Sequence, residues 1–99
     1  MAYIDLQHLS AAEFKRLCGV SRDTFGEMVE VLRPHLERQG QRGGQNKLST
    51  EDQLLVTLEY WREYRSQFHI GSSWGLHETT VGRIIRKVED ILVTNQSID

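Results

Sequence analysis

Apolar side chains recur along this chain at intervals of three and four residues and do not alternate with polar ones, so every ordered element is predicted to be a helix. Ser10 followed by Glu13 forms a capping box that opens a short helix, with Phe14, Leu17 and Cys18 on its inner side and Gly19 at its end. Ser21 caps a second helix that buries Phe25, Met28, Val29 and Leu32. Pro34 is expected to kink or end it, because proline lacks an amide hydrogen and crowds the preceding turn. "RQGQRGGQNK", residues 38 to 47, holds three glycines and no apolar side chain, and reads as a mobile linker. Beyond it, Ser49 or Thr50 caps a helix with Leu54, Leu55, Leu58 and Trp61 inward and Glu51, Asp52, Glu59 and Glu63 outward. A break falls near Tyr64 to Ser66. From Glu78 to Val93 the positions Val81, Ile84, Ile85, Val88, Ile91 and Leu92 define the clearest helix of the chain, and residues 94–99 form a frayed tail. The expectation is an all-α fold, a small bundle of about five helices. Its parts are an N-terminal helical pair (1–37), a Gly-rich basic linker (38–48) and a second helical unit (49–93) within one compact domain.

The stretch "HIGSSWGLHETTVGRII", residues 69 to 85, places Gly71, Gly75 and Gly82 where a plain bundle does not need them. Two helices that cross at a large angle around a tight turn are the physical content of a helix-turn-helix motif. The first helix then needs a small residue where the second passes over it, and Gly71 supplies one. Four residues later the chain must turn with a left-handed backbone, which Gly75 adopts without steric cost. Ile70, Trp74, Leu76, Val81 and Ile84 are the inward anchors around the turn. Counted from Gln67, the small residue is fifth, the turn glycine ninth, and the last two anchors fifteenth and eighteenth. The plainer reading, two packed helices of an ordinary bundle, explains fewer of these agreements.

Opposite Val81, Ile84 and Ile85 the second helix carries Glu78, Thr79, Gly82, Arg83, Arg86 and Lys87, preceded by His77. In such a motif the first two turns of that helix enter the major groove of DNA. There Arg83 can pair with guanine and Glu78 can accept from a cytosine amino group. Thr79 is suited to a thymine methyl or a phosphate, Arg86 and Lys87 to phosphates, and Gly82 to close approach of the polyanion. His77 stands where a serine cap is usual, so both capping and DNA contact are open to it. Arg62 and Arg65 flank the way into the motif as candidates for backbone contacts. Arg42 and Lys47, with Arg38, form a candidate arm in the linker, which is equally well read as plain solvated chain. Glu89 and Asp90 repel phosphate and require the far end of the helix to leave the groove.

A second stretch, "AEFKRLCGVSRDTFGEMV", repeats the helix, glycine turn and helix rhythm. Gly19 corresponds to Gly75, Phe25 to Val81 and Met28 to Ile84, but Lys15 stands at the position of Gly71. The outer face of its second helix carries Asp23, Glu27 and Glu30, which phosphate repels. This pair is expected to be structural, packing on the DNA-reading unit or pairing chains.

Composition narrows the picture. The chain has 99 residues, 38% hydrophobic and 26% charged, and no apolar run approaches the about 20 residues that cross a bilayer. It lacks a secretory signal and reads as cytosolic. The net charge of -2 conceals a gradient: residues 1–37 carry four basic and six acidic side chains, whereas residues 62–87 carry five basic and two acidic. The basic half is the half that contains the glycine turn. The lone Cys18 is expected to be a small buried hydrophobe, and His8, His35, His69 and His77 form no ligand cluster at zinc spacing, so no metal, cofactor or catalytic residue is expected.

"LSTEDQLLVTLEYWREYRSQFHIGSSWGLHETTVGRIIRKVEDIL", preceded by "FKRLCGVSRDTFGEMVEVL", resembles the N-terminal helix-turn-helix domain of insertion-sequence transposases of the IS5 type, whose catalytic part is a DDE endonuclease. The likeness covers roughly residues 8 to 93, with His77 departing from the serine such domains tend to have. It implies binding to double-stranded DNA at the element's terminal repeats, with Glu78, Thr79, Arg83 and Arg86 on the recognition helix. It also implies work in the bacterial cytoplasm, at the nucleoid. A DDE site needs three carboxylates and metal ions on a separate fold. The 99 residues leave no room for it, so the chain is expected to have no catalytic activity of its own and any DDE subunit to be separate. A stand-alone DNA-binding regulator and a helical protein-protein interaction module remain as alternatives, and a homodimer is compatible with a motif that covers one half-site.

Overall fold

The computed structural model describes residues 3–40, 48–63 and 67–94. Among them every element is helical. A 3-10 turn (Tyr3–Leu6) precedes α1 (Ala11–Cys18), α2 (Arg22–Gly40), α3 (Thr50–Glu63), α4 (Gln67–Trp74) and α5 (Glu78–Thr94).

Local chemistry accounts for most of the boundaries. Ser10 Oγ accepts from the Glu13 amide at 3.1 Å while Glu13 Oε1 accepts from the Ser10 amide at 2.9 Å, which completes the capping box of α1. Hydrogen bonding with the Ser10 backbone first, and with its side chain second, holds the Glu13 carboxyl below its usual value. Gly19 ends the helix at φ 90° and returns its amide to the Lys15 carbonyl at 2.8 Å. Ser21 Oγ caps α2 through the Thr24 amide, and Ser49, rather than Thr50, caps α3 through the amide of Asp52.

α2 departs from expectation at Pro34. It neither ends nor breaks there but runs on to Gly40, taking the first three residues of the predicted linker. The missing amide leaves the carbonyl of residue 30 without its helical partner. Residue 30 is exposed, so water can serve that carbonyl, while Leu32 and Leu36 stay buried on either side of the proline and hold the helix to the core. Residues 41–47 of the linker, with Arg42 and Lys47, lie outside the described residues, as do the break at residues 64–66 and the tail from residue 95.

α3 is the axis of the fold. Gln53, Leu54, Leu55, Val56, Thr57 and Leu58 are buried in unbroken succession, and α3 touches the 3-10 turn and all four other helices. Thr57 is tolerated there because its hydroxyl donates back to the Gln53 carbonyl at 3.1 Å. The acidic residues expected on a solvated side of α3 instead make tertiary bonds. Glu51 pairs with Arg33 at 2.9 Å, Asp52 accepts from the Tyr3 amide at 2.7 Å, and Glu59 accepts from the Trp74 indole at 3.3 Å.

The N-terminal pair is fastened through aromatic rings. Phe25 stacks on Tyr3 and meets Phe14 edge-on, with centroids 5.3 and 5.5 Å apart. Arg22 lies over the Phe14 ring at 4.4 Å and donates to the carbonyls of Leu6 and Leu9. Cys18 is buried, and its desolvation raises the thiol pKa although Arg62 and Arg22 pull the other way. Leu17, expected on the inner face of α1, is 40% exposed. A helix of eight residues has one narrow inward stripe, and Phe14 and Cys18 fill it.

Candidate nucleic-acid interface

The link between α4 and α5 has the geometry that its glycines imply. Gly75 has φ 72°, the left-handed value. The Leu76 amide donates to the Gly71 carbonyl at 2.7 Å and the Gly75 amide to the Ser72 carbonyl at 3.4 Å, the paired bonds of a Schellman C-cap. A Cβ added to Gly71 would lie 2.5 Å from the Leu76 carbonyl oxygen and 3.3 Å from Val81 Cγ2. Gly71 therefore serves close packing and Gly75 serves backbone conformation, since nothing lies within 4 Å of a Cβ at Gly75. Ile70 and Val81 are fully buried beneath the turn, Ile84 nearly so, and Trp74 and Leu76 pack against the same cluster.

His77 caps α5. Its Nδ1 accepts from the Thr79 amide at 3.1 Å and lies 2.8 Å from Thr79 Oγ1, while its carbonyl accepts from the amides of Thr80 and Val81. An imidazole nitrogen thus fills the role usually given to a serine oxygen.

Along α5, Val81, Ile84, Ile85 and Val88 face the core, and Glu78, Thr79, Arg83, Arg86 and Asp90 are exposed. Thr79, Arg83 and Arg86 share one face, because steps of four and three residues return nearly to the same direction on a helix. Among the described residues no carboxylate pairs with Arg83 or Arg86. Lys87 is half-buried at the edge of this face. From Glu78 to Arg86 the helix rises about 12 Å, and its diameter with side chains suits a major groove of similar width.

Three expectations need correction or replacement. Gly82 is buried, so it belongs to the packed side of α5 rather than to the outer face. Arg62 Nη1 donates to the carbonyls of Arg16 at 3.0 Å and Leu17 at 2.7 Å, and its stem crosses Gly19, where a Cβ would collide with Arg62 Cδ. It joins the end of α1 to α3. Trp61, expected inside, is 37% exposed, and its indole donates to Glu89 Oε2 at 2.7 Å. That bond occupies one of the two carboxylates that threatened the far end of α5. Arg65, Lys47 and Arg42 fall outside the described residues.

Sequence reasoning passed over Ser72 and Ser73, both exposed beside the turn, because the glycines on either side drew the argument. Among the described residues no group of three His, Cys, Asp or Glu side chains could hold a metal ion, and no helix is long and apolar enough to cross a membrane.

Comparison with known proteins agrees with this geometry. The family model described as the helix-turn-helix of DDE superfamily endonuclease matches residues 46–97, which contain the whole α3–α4–α5 unit. Over 90 residues the chain is 44% identical to a probable transposase for insertion sequence element IS702 from Microchaete diplosiphon, an alignment covering 91% of this chain and 33% of that relative. The chain thus spans about a third of the length of the curated relative it matches. No solved structure matches it. With its turn, its crossing glycine and more than half of its length accounted for, the chain belongs to the family of helix-turn-helix domains of DDE superfamily endonucleases.

Proposed function

We propose that this chain binds double-stranded DNA in a sequence-specific manner, with the first two turns of α5 in the major groove, and that its target is the terminal repeat of an insertion element. The observation that carries the reading is the exposed face of Thr79, Arg83 and Arg86, held outward by a turn that packs Gly71 against Leu76. Arg83 reads a guanine edge and Glu78 a cytosine amino group, while Arg86 and Lys87 meet phosphates. Asp90 lies beyond those turns, where the helix departs from the DNA. Strand cleavage and joining belong to a DDE catalytic part, which supplies its own carboxylates and metal ions.

Electrophoretic mobility shift at two salt concentrations tests the reading, because each neutralised phosphate steepens the loss of affinity with salt. The double variant Arg83→Glu, Arg86→Glu is expected to lose binding at unchanged helicity. A double variant that still binds as well as the parent removes α5 as the reading face and favours the protein-interaction alternative.

A further inference from the structure

His77 does more than cap α5. The Thr79 amide hydrogen points at His77 Nδ1 at 3.1 Å, so that nitrogen carries a lone pair and the ring proton resides on Nε2. Thr79 Oγ1 lies 2.8 Å from the same Nδ1. A hydroxyl at that distance from a nitrogen that carries a lone pair is placed to donate to it, sharing the lone pair with the amide. With its hydrogen so engaged, the Thr79 hydroxyl, on the exposed face that also carries Arg83, is left to accept from a partner outside the protein.

A free threonine hydroxyl donates or accepts and therefore distinguishes bases poorly. We propose that His77 is a positioning residue that makes Thr79 an obligate acceptor, so that Thr79 selects a base that presents an exocyclic amine in the major groove, adenine or cytosine, at one position of the bound site. The selection rule is chemical: the major-groove edges of guanine and thymine present oxygens to that position, and an acceptor facing an acceptor loses its hydrogen bond. The inference rests on the DNA-binding reading above and deepens it. It also gives the departure from a serine cap a consequence, since an imidazole reaches both the amide and the hydroxyl of the second helical residue.

Selection of bound sequences from random double-stranded DNA, followed by affinity measurement on the winning site and its single-base changes, tests this. The parent chain is expected to require adenine or cytosine at one position adjoining the Arg83 contact. Thr79→Val keeps the shape and removes the hydroxyl, and discrimination at that position alone should fall by about five- to tenfold. Thr79→Ser should restore it. His77→Gly retains most of the capping stability and removes the ring, and the same position should then accept guanine or thymine as well, while the other positions keep their preferences. A Thr79→Val variant with unchanged preference at every position overturns the role of Thr79, and a His77→Gly variant with undiminished discrimination overturns the role of His77. Helicity by circular dichroism separates these outcomes from unfolding; should His77→Gly unfold, the Thr79→Val and Thr79→Ser pair carries the test. A parent chain that selects no sequence refutes the DNA-binding reading itself, and this inference with it.

Discussion

The carbonyl oxygen of Leu76 occupies the place where a side chain on Gly71 would begin, 2.5 Å from a Cβ built there. Backbone carbonyls cannot rotate aside as a lysine tip can, so α4 and α5 are locked at their observed separation by the absence of a single carbon.

Gly71→Ala is therefore expected to destabilise the fold by about 1–3 kcal/mol, the usual cost of overpacking. It should also weaken DNA binding by moving α5. Gly75→Ala meets open space and carries only the left-handed backbone penalty of about 1–2 kcal/mol. Urea denaturation measures both. Equal affinity for DNA in the folded Gly71→Ala variant would separate helix crossing from recognition.

Arg62 and Arg83 are both exposed arginines of the basic half, and the structure gives them different work. Arg62→Ala should lower stability by about 1 kcal/mol, the scale of a hydrogen bond lost at a surface. It should leave the slope of DNA affinity against salt unchanged. Arg83→Ala should keep the stability and relax the preference for guanine at one position of the bound site. A reduced salt slope in Arg62→Ala would mean that Arg62 meets phosphate despite its bonds to Arg16 and Leu17.

The capping box gives the fold a pH dependence at its acidic limit. Glu13 has its carboxyl pKa lowered below 4.5, first by the hydrogen bond with the Ser10 backbone and then by that with the Ser10 side chain. A depressed carboxyl contributes stability that is fully present above 4.5 and fades as pH falls through the native value. The stability difference between the parent and Glu13→Gln, measured by urea denaturation, should stay constant from pH 7 to about pH 5 and shrink in more acid solution. A difference that grows on acidification contradicts the assignment.

Cys18 should be a slow thiol. Burial raises its pKa above 9.0, against the pull of Arg62 and Arg22, so the reactive thiolate is scarce in the native chain at neutral pH. The sign is opposite to that of Glu13: the protonated thiol contributes stability below 9.0, and this is lost as pH rises through the native value. An aromatic disulfide reagent at pH 8 is expected to label the unfolded chain quickly in urea and the native chain only at the rate of opening. Rapid labelling without urea would place Cys18 in contact with solvent.

The amino-acid order determined the local events of this fold, because each is settled within four or five residues. The Ser10–Glu13 box, the left-handed Gly19 and Gly75, the small residue at Gly71 and the inward run from Val81 to Val88 need no distant neighbour to be recognised. The exposed face of Thr79, Arg83 and Arg86 follows from the same run, since it is the opposite side of the helix.

What the tertiary structure decided lies where a helix meets more than one neighbour. Periodicity assigns each helix one inner face, which misreads α3, where Val56 and Thr57 are buried outside the expected stripe. Arg62, Trp61 and Glu89 found partners 28 to 46 residues away in sequence, and α2 continues past Pro34 because Leu32 and Leu36 are held by the core. Burial of Gly82 has the same origin: the packing of the assembled bundle, rather than the helix that carries it, decides which flank of α5 meets solvent. Hydrogen-bond partners and second faces are products of assembly, and a one-dimensional pattern records only the first face that each segment must hide from water.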